Sequence, residues 1–319
     1  MKEDGMFRKS VMMATELNVA GEFIYSAIEK INKMVHFDNV WDVFYFLYHL
    51  SVGIERVQKI LLVICNDISE DEMEPFLESI KSHNHAMLHG KVKEKTKINT
   101  SKEQMELLNL LSTFYREERY KRFDFLNYNY EDRDMLINYV KKNCGEISYD
   151  YSLCKATPLN TDKVKEHFGR VIGRLCQKYY KAIVEESRSR NIYCYELQYD
   201  SAAERVFYCE EKDGSYQRKM EREKRAIKEL LIYLRSPQAY NKFFECLDEL
   251  EALPMDIALI QDYVADLCNK SVSIELIDEV DYLYEECVED KREREQILSL
   301  IGDKGVIFDW EEEDEYKED

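Results

Sequence analysis

The stretch Asp38-Asn39-Val40-Trp41-Asp42-Val43-Phe44-Tyr45-Phe46-Leu47-Tyr48-His49-Leu50-Ser51-Val52-Gly53-Ile54-Glu55-Arg56-Val57-Gln58-Lys59-Ile60-Leu61-Leu62-Val63-Ile64-Cys65 decides the fold class. Asp38 and Asn39 are helix-capping types. After them Trp41, Phe44, Leu47, Tyr48, Ser51, Ile54, Glu55, Gln58, Lys59, Leu62 and Cys65 mark out a helical course over 40–66. This helix is apolar nearly all round, so it is expected at the centre of a helical bundle rather than on its rim.

The pattern extends outward in both directions. A helix is expected over 8–34, where Phe23, Ile24, Ala27, Ile28, Ile31 and Met34 recur at helical spacing. Ser69-Glu70-Asp71-Glu72 is a start signal for a third helix, 70–93, because acids favour the positive end of the helix dipole. Asn99-Thr100-Ser101 caps a fourth, 101–124, and a fifth covers 130–143 and ends near Gly145. Residues 146–160 are expected to be irregular. Asn160-Thr161-Asp162 then caps a long helix over 161–188. Tyr193, Tyr195, Leu197 and Tyr199 alternate, and Arg205–Cys209 reads as extended, so a small β-hairpin is expected near 191–209. Further helices are expected over 216–235, 238–250, 255–268, 273–288 and 290–301. The fold class is therefore all-α. The expected organisation is a helical domain over 1–210, a C-terminal helical region over 211–310 and an acidic tail over 311–319.

Composition agrees. The chain has 319 residues, 45% hydrophobic and 34% charged, with only 10 Gly and 4 Pro, too few for the many tight turns of a sandwich or barrel. No apolar run approaches the length of a membrane span; the longest is Ile60–Cys65. The nine cysteines are odd in number and never spaced C-x-x-C, so a reduced, cytoplasmic setting is expected without a disulfide framework or zinc ribbon. No signal peptide is read at the start of the chain.

Charge is unevenly placed. The net charge is -19, yet residues 1–250 hold 41 acids and 39 bases, while residues 251–319 hold 23 acids and 6 bases. Glu311–Asp319 is a block of like charge of the kind that stays solvated. The basic counterpart lies on the 161–188 helix. Lys163, His167, Arg170, Arg174, Lys178 and Lys181 follow at spacings of three and four, so they share a stripe. Such a row suits phosphate contacts.

Four segments together carry a resemblance. They are Thr15–Tyr25 on the first helix, Ser51–Leu62 on the second, Lys81-Ser82-His83-Asn84-His85-Ala86-Met87-Leu88 on the third, and Phe114-Tyr115-Arg116-Glu117-Glu118-Arg119-Tyr120-Lys121-Arg122-Phe123 on the fourth. In order and helix position they resemble the HEPN superfamily of prokaryotic helical domains, over about residues 8–205. The resemblance implies metal-independent endoribonuclease ancestry, a toxin–antitoxin or other phage-defence setting, and a homodimer. It also implies RNA, an antitoxin or another protein as partner, with no cofactor and no metal. Family nucleases place a His on the last core helix, with four to six residues between it and a preceding Arg. The Arg would steady charge on phosphorus and the His would move protons.

Here none of His36, His49, His83, His85, His89 and His167 follows an Arg at that spacing. The resemblance therefore points to a degenerate site that binds RNA or a partner. Glu55, Arg116 and Arg122 would line its groove, and Lys163, Arg170, Arg174, Lys178 and Lys181 would contact phosphate. An alternative is an active ribonuclease in which His83 or His85 works with Arg119. A third is an adaptor whose bundle only dimerises. His85 and His89 also stand at the spacing of a chelating pair, but no third ligand accompanies them. The central expectation is that Glu55, His83 and Arg119 converge.

Overall fold

A helix apolar on most sides must be surrounded, and α2 (Val40–Cys65) is. In the computed structural model, which describes residues 2–121, 123, 130–152, 155–197, 206–207, 216–234 and 250–301, the chain forms two compact units, Met1–Met220 and Glu221–Asp319. The fold is all-α. In the first unit α2 packs against α1 (Lys2–Lys33), α4 (His85–Lys95), α5 (Lys102–Thr113), α6 (Glu131–Cys144) and α7 (Asp162–Ser189). Val43, Phe46, Leu47, Leu50, Ile54, Val57 and Leu61 of α2 are fully buried in the resulting core. A short α3 (Met73–Ile80) and a 3-10 turn, Glu70–Glu72, precede α4. Among the described residues no helix is long and apolar enough to cross a membrane.

The tightest joint is between α1 and α2. A Cβ added at Gly53 would stand 2.5 Å from Ile24 Cγ1 and 3.1 Å from both the Ala20 carbonyl oxygen and the Ile24 nitrogen. The absent side chain lets the two helices meet backbone to side chain, which is why a glycine stands in the middle of an otherwise well-formed helix despite its cost there.

Local chemistry explains the ends. Asn39 Oδ1 accepts from the Asp42 backbone N–H, so the expected cap of α2 is present. The Lys30 ammonium reaches Asp42 at 2.8 Å, tying the end of α1 to the start of α2. Asn160 does something else than cap α7. Its side-chain amide donates to the Ile31 and Met34 carbonyls at 2.7 and 2.9 Å, satisfying orphan acceptors at the end of α1. Thr161 occupies the N-cap position of α7 without a side-chain cap bond. Strands β1 (Tyr149–Asp150) and β2 (Thr157–Pro158) pair antiparallel, with Tyr149 opposite Pro158. They fall inside the stretch expected to be irregular.

Three expectations are corrected. The helix read over 70–93 is broken at residues 81–84, leaving His83 outside any helix. Ser82 accepts from the Asn84 backbone N–H at 3.1 Å, and Asn84 accepts from Met87 N–H at 3.0 Å, so short polar side chains end one helix and cap the next. The helix read over 101–124 is α5 followed by a π-helical turn, Phe114–Glu118, and a final turn, Arg119–Lys121. Where a hairpin was expected near 191–209, Tyr195–Leu197 is a 3-10 turn and residues 206–207 are helical; residues 198–205 and 208–209 lie outside the described residues. The 311–319 tail and nearly all of the 238–250 helix also lie outside them.

The second unit takes in the later part of α8 (Tyr216–Leu234), then α9 (Ile260–Cys268), α10 (Ile274–Cys287) and α11 (Lys291–Leu298). Ser273 caps α10 and Asp290 caps α11 through their side chains. Cys65, Cys144, Cys176, Cys194, Cys268 and Cys287 are free thiols.

The α1–α2 joint gives a direct test. Gly53→Ala, which would be favourable by helix propensity alone, is expected to destabilise the fold by about 1–3 kcal/mol through overpacking. Denaturant midpoints read the effect; an unchanged or raised midpoint would contradict the close approach.

Candidate functional site

Glu55 lies on α2 with its side chain 10% exposed, so its charge needs partners. It has two. Lys59, one turn on, reaches Oε1 at 2.7 Å, and His83 Nδ1 donates to Oε2 at 2.9 Å. The His83 ring, 45% exposed, stands 4.8 Å from the Tyr115 ring between centroids. Arg119 lies over the same Tyr115 ring, 4.0 Å from its centroid, and over Tyr120 at 4.4 Å. Its guanidinium also donates to the Tyr120 hydroxyl at 2.8 Å. Glu55, His83 and Arg119 are thus brought together around Tyr115, from α2, the break before α4 and the turn after the π-helical segment.

Tyr115 was not singled out in the sequence. At 8% exposure it is buried. Its ring, however, joins the other two groups. Burial pushes its phenol above the ordinary tyrosine value, and the neighbouring Arg119 charge opposes that shift. Tyr48 stacks near it as well, with centroids 5.9 Å apart. A stacked guanidinium is held in orientation while keeping its charge.

The other candidates divide sharply. His85 is fully buried, and its Nε2 donates to the Ser51 carbonyl at 2.8 Å. It is part of the α2–α4 joint and does not reach the surface beside His83. Arg116 is exposed and paired with Glu117 at 2.7 Å. Arg122 lies outside the described residues. On α7, Lys163, Arg174 and Lys181 are exposed and Arg170 is half-buried near His167. Lys178 turns back to the protein, donating to the Asn99 carbonyl at 2.7 Å and Gln104 Oε1 at 2.9 Å. His167 is buried against the Tyr139 hydroxyl at 3.2 Å. The stripe of six is therefore not one open row: Lys163, Arg174 and Lys181 are exposed, while His167, Arg170 and Lys178 are turned partly into the bundle.

A second polar cluster is wholly internal. Gln58 donates to the Tyr179 hydroxyl at 2.9 Å and to the His85 carbonyl at 3.0 Å. Accepting there leaves the Tyr179 hydrogen for His89 Nδ1, 2.8 Å away, while His89 Nε2 faces Thr100 Oγ1 at 3.2 Å. The His85 and His89 rings thus serve different partners rather than one shared ligand. Among the described residues no three His, Cys, Asp or Glu side chains are grouped as a metal ion would need.

No protein-family model, no curated protein and no solved structure matches this chain.

Burial has a measurable electrostatic consequence. It pushes His49, His85, His89 and His167 below the ordinary histidine value of 6.5. These rings bind a proton less readily in the folded protein than in the unfolded chain. Stability therefore falls as pH drops through the ordinary histidine value of 6.5. Urea midpoints at a series of pH values are expected to fall below pH 6.5, and His89→Gln is expected to flatten that slope. An identical slope in the variant would contradict a lowered His89.

Proposed function

We propose that this chain is a HEPN-like protein of a prokaryotic defence or toxin-type system that binds RNA at the Glu55–His83–Arg119 cluster. The observation that carries the reading is the convergence of those three side chains around Tyr115. Arg119, stacked between two tyrosine rings, offers a fixed cation for a phosphate. Lys163, Arg174 and Lys181 on α7 supply further phosphate contacts along a strand. A homodimer is part of this reading, as is an antitoxin or other protein partner.

The geometry of His83 favours a second reading, metal-independent cleavage of RNA. Because Nδ1–H is donated to Glu55, a neutral His83 presents its lone pair at Nε2. That is the arrangement of a general base whose tautomer is fixed by a carboxylate. It would take the proton of a ribose 2'-hydroxyl as that oxygen attacks phosphorus, and return it to the departing 5'-oxygen. The bond broken is P–O5' and the product is a 2',3'-cyclic phosphate. His85, fully buried, takes no part.

One experiment separates the two. Labelled RNA and its 2'-deoxy counterpart are incubated with purified protein in EDTA, with binding and cleavage both measured. RNA binding is expected with a log–log salt slope of about -3 for four phosphate contacts, and Arg119→Ala is expected to weaken it about tenfold. RNA bound but uncut supports the binding site alone. Cyclic-phosphate ends that disappear in His83→Gln and with deoxy substrate support cleavage. No binding at low salt, or binding indifferent to Arg119, would sink both.

A further inference from the structure

The described part of the second unit shows little buried core beside its exposed apolar side chains. Among its described residues, only Tyr263, Cys268 and Leu283 are buried hydrophobics. On α9, Ile260, Val264 and Leu267 are 39%, 40% and 46% exposed. Their spacing of four and then three places them on one face, an unbroken apolar row about two turns long. Ile274 and Ile277 on α10 are exposed as well. An amphipathic helix is stabilised chiefly by burying such a face, and here the described residues leave the centre of the face about two-fifths exposed.

The charge of the segment that carries this face says what can cover it, residues 221–250 of the unit being balanced at six acids and six bases. Residues 251–301 hold 14 acids and 4 bases. Of those bases, Lys270 is paired with Glu223, Lys291 with Glu285, and Arg294 donates to the Glu251 carbonyl. A nucleic acid or an anionic membrane would be repelled. A second copy of the unit carries the same sign of charge, and residues 302–319, with nine acids and two bases, share it too. A covering element must therefore be apolar on one side and basic on the other, and a row at i, i+4, i+7 is the footprint that takes another helix.

We propose that the Ile260–Val264–Leu267 face of α9 is the docking surface for a basic amphipathic helix of a partner protein. Apolar contact with the row supplies the affinity, and the acidic surround selects the partner and speeds its approach. This inference is independent of the RNA site in the first unit.

The test uses the full chain and a fluorescent synthetic peptide of about 18 residues, leucines at helical spacing and lysines elsewhere, long enough for several turns. A scrambled peptide of equal composition is the control for charge alone. Anisotropy is expected to show the patterned peptide binding at least about tenfold more tightly than the scrambled one, and Val264→Ser with Leu267→Ser is expected to remove that advantage. Hydrogen exchange of the Ile260–Cys268 amides is expected to slow on binding. Both substitutions are at exposed positions, and circular dichroism confirms that helicity is kept. Equal binding of the two peptides, no binding of either, or full affinity in the serine variant would overturn the proposal. So would a concentration-dependent dimer that the same serine variant abolishes, because a second copy would then be the occupant.

Discussion

The approach of α1 to α2 at Gly53 fixes where every polar group on α2 can point. Once one side of that helix is closed by Ala20 and Ile24, with other faces closed by α6 and α7, the polar positions must find partners within the bundle. Several do so along one row, although the Ser51 hydroxyl and Gln58 Oε1 are buried with no hydrogen-bond partner among the described residues. The Ser51 carbonyl accepts from His85, Glu55 accepts from Lys59 and His83, and Gln58 donates to Tyr179 and the His85 carbonyl. Positions 51, 55 and 58 are four and three apart, so they form one polar row on a buried helix, facing α4 and its preceding break. Apolar packing tolerates small slips. A row of directional bonds does not, because each slip leaves a buried donor or acceptor unmet at a cost of about 1–3 kcal/mol. The polar row sets the register of α4, and with it the position of His83 against Glu55.

Arg119 reaches the same place by a different device. A π-helical turn holds one residue more than an α-helical turn and so rotates everything after it by about 100° relative to an uninterrupted helix. The turn over Phe114–Glu118 keeps Phe114, Tyr115 and Glu118 buried and delivers Arg119 onto Tyr115. In an unbroken α-helix from Lys102, Tyr115 and Arg119 would still be neighbours, but the face they share would be turned away from its present direction. The local departure from regular geometry thus belongs to the same construction as the Glu55–His83 pair.

What the sequence disclosed follows from which physics is local. The central helix was legible because burial on nearly all sides leaves an apolar run that no surface helix carries. The Asn39 cap, the long α7 and the helices at 274–287 and 291–298 were legible for the same kind of reason. The break before His85 was not, because 70–93 is periodic enough to read as one helix; the competing signal was Ser82 and Asn84, whose side chains bond to nearby backbone. Nor does periodicity reveal a π-turn, whose extra residue leaves the composition unchanged. The basic row on α7 was legible as a row, but not that Lys178 caps a distant loop and His167 meets Tyr139, since those partners are far away in sequence. Asn160 was read as a local cap and instead serves carbonyls more than a hundred residues earlier. Tyr115 was not legible because packing in the core and stacking against His83 and Arg119 make the same demand on an aromatic ring.

Charge is segregated between the two parts of the chain. The first 250 residues are nearly balanced, so a polyanion meeting them would experience little general field and, on the proposed reading, would be held by particular cations with fixed geometry, Arg119 above all. Beyond residue 250 the acids exceed the bases almost fourfold, and no arrangement of a few cations there could offset the repulsion of a phosphate backbone. That repulsion is long-ranged at low salt and is screened beyond about 8–10 Å at physiological ionic strength. On the two proposals made above, a polyanion would be confined to the first unit by exclusion as well as by attraction, while the same acids would favour a cationic polypeptide on the second. A net charge of -19 is compatible with both because the charge is segregated along the sequence rather than spread evenly.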